Sequence, residues 1–351
     1  KKRGLKMSSF KQMIRLDKNE NPFSIPDFIQ KEIFSALVHT EINRYPDASY
    51  GEIKESLRIL TGFSPKNYIL GNGGDEVLWL LFAAYARPNA TILSFSPSFS
   101  EYAHLCKVFH ARHVTVPIDM GDKDCSFDTG LFLEKVKSER PALVLIDSPN
   151  NPTGKNLPQH FLREVIENNE GITVIDEAYG EFAQKTFLQS LQTKEMSPNT
   201  VILKTLSKAW GLAGIRFGYG ICDPTVAHAL NTIKSPFNIN QLTAAIVQIV
   251  LKYPQLFENR KMELIKIRDS FIDQCSRFPW LKIYPSEANF VLLHIPEEKK
   301  FLQRFFEENN VAVKFFKISH EDDSWIRVSI GLSSEMEKVL DCLSRLSKRF
   351  E

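Results

Sequence analysis

The residues able to do chemistry cluster just past apolar, strand-like runs. In KTLSKAWGLAGIRFGYG (204–220), Lys208 follows Thr-Leu-Ser directly after such a run, and glycines and Arg216 come next. An ammonium at the mouth of a buried sheet is costly to desolvate, so burial favours the neutral amine, a nucleophile that can form an imine with a carbonyl compound. Thr205, Ser207 and Arg216 add two hydroxyls and a fixed cation, a set suited to phosphate. A lone Ser-Lys pair would more simply be a surface lysine at a strand end. IDEAYGEF (175–182) ends a second run with Asp176 and puts Tyr179 three residues on. A carboxylate so placed can hold a protonated ring nitrogen, and the phenol can hydrogen-bond a phenolate oxygen. SPNNPTG (148–154) puts Asn150 and Asn151 just past a third run, in what is otherwise a good turn. GNGGDE (71–76) precedes a helical pattern, where exposed backbone N–H groups can cradle a phosphate, although glycine-rich loops before helices are common.

Those segments need a scaffold, and the middle of the chain supplies one. Runs rich in β-branched residues occur at TILSF (91–95), HVTVP (113–117), ALVLI (142–146), ITVID (172–176), VILKT (201–205) and IRFGYG (215–220). Their near-continuous apolar character predicts strands buried on both faces. Amphipathic stretches of helical length lie between them at 75–87, 129–138, 158–168 and 224–233, so the expected fold class is α/β, with a mostly parallel sheet and helices on both faces. The last third differs. Helices are expected at 255–277, 297–309 and 333–349, and strands at 280–285, 289–295, 311–315 and 325–330, which together make a smaller α+β domain. The expected organisation is an N-terminal segment 1–40 packing with the small domain, a large domain 41–255 and a small C-terminal domain 256–351.

Bulk properties narrow the function classes. The chain has 351 residues, with 44 Lys plus Arg against 42 Asp plus Glu. That balance gives no reason to expect nucleic acid or an anionic membrane as partner. The longest apolar stretch, VLWLLFAAYA (77–86), is too short to span a bilayer. The basic start, KKRGLKMSS, has no apolar stretch behind it and is not expected to be a signal peptide. The five cysteines form no CxxC pair, and the histidines show no metal-ligand spacing. A reducing cytoplasm is the expected setting, with no metal site.

Taken together, LDKNENP (16–22), RYPD (44–47), GNGGDE (71–76), SPSFSEY (96–102), SPNNPTG (148–154), IDEAYGEF (175–182), TLSKAWGLAGIRFGYG (205–220), PFNIN (236–240), EANFVLL (287–293) and WIRVSIG (325–331) resemble, in order, the fold-type I pyridoxal-phosphate enzymes of the class I/II aminotransferase family. Within it they resemble the histidinol-phosphate aminotransferases. The resemblance implies pyridoxal 5′-phosphate as coenzyme, Lys208 as its Schiff-base lysine and Asp176 as the partner of the pyridine nitrogen. It makes Tyr179 and Asn151 donors to the ring 3′-oxygen. Gly73, Gly74 and Asp75 with Thr205, Ser207 and Arg216 become the phosphate cup, and Phe99 the ring-stacking residue. Arg327 would grip the substrate α-carboxylate, and Asn19, Glu20 and Asn21 would lie over the active site with Asn21 touching substrate. Tyr45 would reach the phosphate in a partner subunit, which implies a homodimer with shared sites. The implied reaction is amino transfer in two halves, from a small-molecule donor to 2-oxoglutarate, with ping-pong kinetics.

The chain departs from the family pattern in three places. Phe99 stands where a tyrosine is usual, which keeps the π-face but loses a hydroxyl. Tyr102, three residues on, is in a position to compensate for that hydroxyl, but is expected to serve helix packing. Lys314 stands where an arginine commonly binds the substrate's phosphate, keeping the charge without the bidentate fork. MSSFKQM (7–13) stands where a proline–tyrosine pair is often found. These departures leave open an aromatic amino acid aminotransferase, a threonine-phosphate-type decarboxylase, or a non-catalytic protein on the same fold.

Overall fold

Apolar runs without alternation must be covered on both sides, and this chain covers them with two layers of helices. The computed structural model describes residues 13–191, 195–318 and 324–350; the MSSFKQM stretch, Met13 apart, lies outside the described residues. In chain order the strands are β1 (Ile14–Leu16), β2 (Tyr68–Gly71), β3 (Thr91–Ser96), β4 (Arg112–Met120), β5 (Cys125–Phe127), β6 (Leu143–Asp147), β7 (Ile172–Asp176), β8 (Thr200–Thr205), β9 (Gly218–Cys222), β10 (Lys282–Ile283), β11 (Phe290–His294), β12 (Val311–Phe316) and β13 (Trp325–Ser329). The helices are α1 (Asp27–Val38), α2 (Gly51–Thr61), α3 (Gly74–Tyr85), α4 (Ser100–Val108), α5 (Thr129–Glu139), α6 (Gln159–Asn168), α7 (Phe187–Ser190), α8 (Pro224–Ile233), α9 (Gln241–Val250), α10 (Pro254–Cys275), α11 (Lys299–Glu308) and α12 (Ser333–Ser347).

The large sheet has the order β2-β9-β8-β7-β6-β3-β4-β5. Its central strands β4, β3, β6, β7 and β8 are parallel. Alternate residues serve opposite cores: Val144 and Ile146 face one, Leu143 and Leu145 the other. β9 runs antiparallel to β8 and β2. The link from β8 to β9 holds only the Lys208 loop and a short 3-10 turn, Ala213–Ile215, too little for the helical crossover that a parallel return requires. Asp147, Asp176 and Thr205 each end a parallel strand, so one edge of the sheet gathers them. That is where ligands bind in open α/β sheets.

The small sheet, β1-β12-β13-β11-β10, is antiparallel except for β1, which pairs parallel with β12. Leu264 and Phe271 of α10 and Met336, Val339 and Leu343 of α12 fill the core beneath it. The strand expected over 280–285 shrinks to Lys282–Ile283. The N-terminal segment divides rather than packing as one piece with the small domain. β1 joins the small sheet, whereas Ile29 and Ile33 of α1 bury in the core that also holds Val247 and Val250 of α9. Among the described residues, no helix is long and apolar enough to cross a membrane, and no cluster of metal-ligating side chains forms.

One close approach shapes the ligand edge. A Cβ added at Gly218, the first residue of β9, would lie 2.4 Å from the Gly74 amide nitrogen and 2.6 Å from the Gly73 carbonyl carbon. Backbone thus meets backbone where the Gly73–Gly74 loop enters α3. Gly218→Ala should destabilise the protein by about 1–3 kcal/mol through overpacking, read as a lowered melting temperature. An unchanged melting temperature would mean that the loop yields freely.

Candidate active site

A cavity of about 170 Å³ opens at the carboxyl ends of the parallel strands. Gly74, Asp75, Phe99, Asn151, Asp176, Tyr179, Thr205, Ser207, Lys208 and Arg216 all line it. Residues scattered over more than 140 positions of sequence therefore meet in one place. The reason is topological: β6, β7 and β8 lie side by side, and each delivers its next few residues to the same edge.

Asp176 is a buried carboxyl of this wall, 4% exposed. Its Oδ2 accepts from the Tyr102 hydroxyl at 2.8 Å and its Oδ1 from the Ala178 N–H at 3.0 Å. Desolvation pushes its carboxyl up to about 7; the Tyr102 hydrogen bond works against that rise and the negative Asp147 works with it. Asp147 sits directly beside Asp176 in the β6–β7 register and also lines the cavity. It accepts from Ser98 Oγ at 2.7 Å, Asn150 Nδ2 at 3.0 Å and the Asn151 N–H at 2.8 Å, and so fixes the SPNNPTG turn. Neither Tyr102 nor Asp147 was expected at the site. Tyr102 does pack in the core, as its helical position implied, and its hydroxyl is in addition spent on Asp176. An aspartate ending an apolar strand, as Asp147 does, was the signal available for the other.

The phosphate-type elements also converge. Gly73 takes a φ of +86° at the entry to α3, and a Cβ there would meet Arg216 Nη2 at 2.7 Å. Arg216 donates to Asp75 Oδ2 at 2.8 Å. The Thr205 hydroxyl accepts from the Ser207 N–H at 3.1 Å and lies 3.0 Å from the Ser207 hydroxyl. Two hydroxyls, a guanidinium and a helix N-terminus thus face one end of the cavity, which is anion chemistry. Lys208 Nζ donates to the Lys18 carbonyl at 3.1 Å and stands 5.6 Å from the Tyr179 ring centre. Phe99 forms part of the wall and meets Tyr102 edge-to-face.

The small sheet and the N-terminal segment close the site. Arg327, 7% exposed on β13, donates from Nη1 to Asn151 Oδ1 at 2.5 Å and from Nη2 to the Asp17 carbonyl at 2.8 Å. Its buried Nε has no hydrogen-bond partner among the described residues. Asn19, fully buried with a φ of 54°, donates from Nδ2 to the Tyr179 hydroxyl at 2.9 Å, and its Oδ1 accepts from Ser329 Oγ at 2.9 Å. This junction was legible only as part of the LDKNENP segment. Asn21 lies outside the cavity. Its carboxamide donates to the carbonyls of Ala209 at 3.0 Å and Lys208 at 3.4 Å, so it ties the segment to the lysine loop. Lys314 lies directly across from Arg327 in the β12–β13 ladder, exposed and without an ion pair among the described residues. Tyr45, 79% exposed, stacks on Phe237 at 4.4 Å and does not reach this chain's own cavity.

The raised Asp176 carboxyl carries a stability consequence. Between an unfolded value of about 3.9 and the folded value of about 7, the folded state holds the proton more tightly, so this residue's contribution falls as pH rises through that window. In ligand-free protein, Asp176→Asn should therefore gain melting temperature relative to the parent as pH is raised from 4 to 8. A difference that does not change with pH would refute the assignment.

Comparison with known proteins agrees with this geometry. The family model described as aminotransferase class I and II matches residues 11–343. A histidinol-phosphate aminotransferase of Thermoanaerobacter pseudethanolicus is 32% identical over 332 residues, 95% of this chain and 92% of that protein. One from Chromobacterium violaceum is 33% identical over 334 residues, again 95% and 92%. The crystal structure of histidinol-phosphate aminotransferase from Sinorhizobium meliloti in complex with pyridoxal-5′-phosphate superposes with a TM-score of 0.85 at 23% identity, covering 96% of this chain and 92% of that one, which shows a shared fold. A family match over nearly the whole length, on a chain whose motif residues meet in one cavity, makes this protein a member of the aminotransferase class I and II family.

Proposed function

We propose that the protein is a pyridoxal-phosphate-dependent histidinol-phosphate:2-oxoglutarate aminotransferase, working as a cytoplasmic homodimer. The observation that carries the coenzyme is the donor set: a buried carboxyl, an amine and an anion cup with a glycine cradle face one cavity. The names of curated relatives aligned over nearly the whole chain support the amino donor. When bound, the coenzyme's protonated pyridine ring supplies an electron sink for the charge left as the substrate's α-proton departs.

The chain's own residues serve that sink. Asp176 holds the proton at the ring nitrogen, and Tyr179 and Asn151 hydrogen-bond the ring oxygen. Gly73 and Gly74 by backbone, with Thr205, Ser207 and Arg216, hold the phosphate, and Asp75 orients the Arg216 guanidinium. Phe99 covers a ring face. Lys208 anchors the coenzyme and then, as a free amine, moves the proton at the substrate α-carbon. Arg327, with a buried Nε still to be satisfied, takes the α-carboxylate. Lys314 takes the donor's phosphate as a point charge. Asn21 acts as scaffold for the Lys208 loop. Tyr45 reaches toward a second subunit; the exposed stripe Phe34, Val38 and Ile42, 63–79% accessible, supports a covered face there. All five cysteines are free, which suits a reducing compartment.

Borohydride should fix the coenzyme covalently to the parent chain and not to Lys208→Ala, as read by mass. Asp176→Ala should lose several powers of ten in rate, each about 1.4 kcal/mol of lost transition-state stabilisation being tenfold. The donor is tested by offering histidinol phosphate, histidine, phenylalanine and tyrosine in turn and following conversion of the coenzyme to its amino form. Histidinol phosphate should be fastest. Equal speed with phenylalanine would favour the aromatic reading, and carbon dioxide from threonine phosphate the decarboxylase. Lys314→Ala should raise KM for histidinol phosphate about tenfold with kcat nearly unchanged, the mark of lost uniform binding. An unchanged KM would remove Lys314 from the substrate site.

A further inference from the structure

The aromatic hydroxyl behind the cavity has a purpose that packing does not explain. Tyr102 sits on α4 and is 1% exposed, so a phenol there needs a partner. It has one, Asp176 Oδ2 at 2.8 Å, and the donor is unambiguous. Burial, then the charges of Asp176 and Asp147, push the phenol well above its usual range, so it stays protonated and can only donate. Asp176 meanwhile stands beside a second buried carboxylate, Asp147, its register partner on the neighbouring strand. Two buried carboxylates side by side resist joint ionisation. Asp147 is held by three donors of its own, whereas Asp176 has the Ala178 N–H and the Tyr102 hydroxyl.

We infer that Tyr102 is a positioning residue for the reaction: its hydroxyl keeps Asp176 ionised and fixed in orientation, so that the proton shared with the coenzyme's ring nitrogen stays on the ring. The inference rests on the coenzyme reading above and adds to it the group that sets Asp176. The logic is a competition for one proton. In a dry pocket, a pyridinium–carboxylate pair can collapse to neutral ring and neutral acid. Burial and Asp147 favour the neutral acid; a donor to the carboxylate opposes it. The charged and titratable groups lining the cavity with Asp176 are Asp75, Asp147, Tyr179, Lys208 and Arg216. Asp75 is ion-paired with Arg216 at 2.8 Å, and its charge still adds to the rise at Asp176. Lys208 is engaged by a backbone carbonyl, and Tyr179 by Asn19. Among the described residues, Tyr102 is the side chain that donates a hydrogen bond to this carboxylate.

Tyr102→Phe removes the hydroxyl and keeps the ring. In coenzyme-free protein with carboxyl-labelled aspartate, the Asp176 signal (assigned through Asp176→Asn) should titrate at higher pH in Tyr102→Phe than in the parent. In protein loaded with ring-nitrogen-labelled pyridoxal phosphate, the nitrogen resonance should sit at the pyridinium position in the parent. In the variant it should move toward neutral pyridine. The kcat should fall about tenfold, with KM for the amino donor within twofold. A fall in activity with both resonances unchanged would make Tyr102 a packing residue and overturn the inference. So would unchanged activity and unchanged resonances. If the parent itself fails to bind the coenzyme, or shows a neutral ring, the coenzyme reading fails instead, and the two failures are told apart. A folded control, with circular dichroism and melting temperature near the parent's, separates these outcomes from loss of structure.

Discussion

A carboxylate taken out of water must be given partners, and the placement of Asp176 at the end of β7 imposes that demand on everything around it. Its position is fixed by ladder hydrogen bonds to β6 and β8, so it cannot retreat to solvent. The fold answers with an α4 phenol on one oxygen and a backbone N–H on the other, in a cavity that is also lined by Thr205, Ser207 and Arg216. The cavity thus gathers buried carboxyls together with two hydroxyls and a guanidinium. The opposite face of the sheet carries a matching device. There Lys204 is buried between Glu177 Oε2 at 3.3 Å and Glu181 Oε1 at 2.9 Å. Lys204 precedes Thr205, and Glu177 follows Asp176. The ion cluster therefore spans β8 and the chain leaving β7, behind the residues that face the cavity.

The second constraint is closure. Strand β1 could not form alone, because three residues bury too little to offset their ordering entropy. It forms on the edge of β12, almost 300 residues away, and thereby fixes Asn19 against Tyr179 and Ser329. Arg327 bridges from the small sheet to Asn151, in the turn that follows β6 of the large one. Three separate parts of the chain thus share one polar junction over the cavity. Burial lowers the Arg327 guanidinium from its usual range.

Much of this was legible in the sequence, for identifiable reasons. Continuous β-branched runs can be stable only when buried on both faces, so β3, β6, β7 and β8 were readable, as were α8 and the amphipathic α12. The chemistry-bearing segments were readable because lysine, aspartate and paired asparagines directly after apolar runs are unusual, and because their order along the chain resembles one family. By contrast, β1, β2 and β5 are short strands at sheet edges, and local pattern did not mark them, although it did mark β4 at HVTVP.

By itself the sequence determined the alternation of strand and helix, the strand ends at which charge would gather, and the type of residue at each. Only the tertiary structure decided which of those residues share a wall. It placed Asp147 beside Asp176, gave the packed Tyr102 a hydrogen bond to Asp176, spent Asn21 on the Lys208 loop and left Tyr45 outside its own cavity. The physical reason is that hydrophobic patterning acts over a few residues of chain. Electrostatic and hydrogen-bond partnership acts over a few ångströms of space, and only strand order and closure convert one into the other.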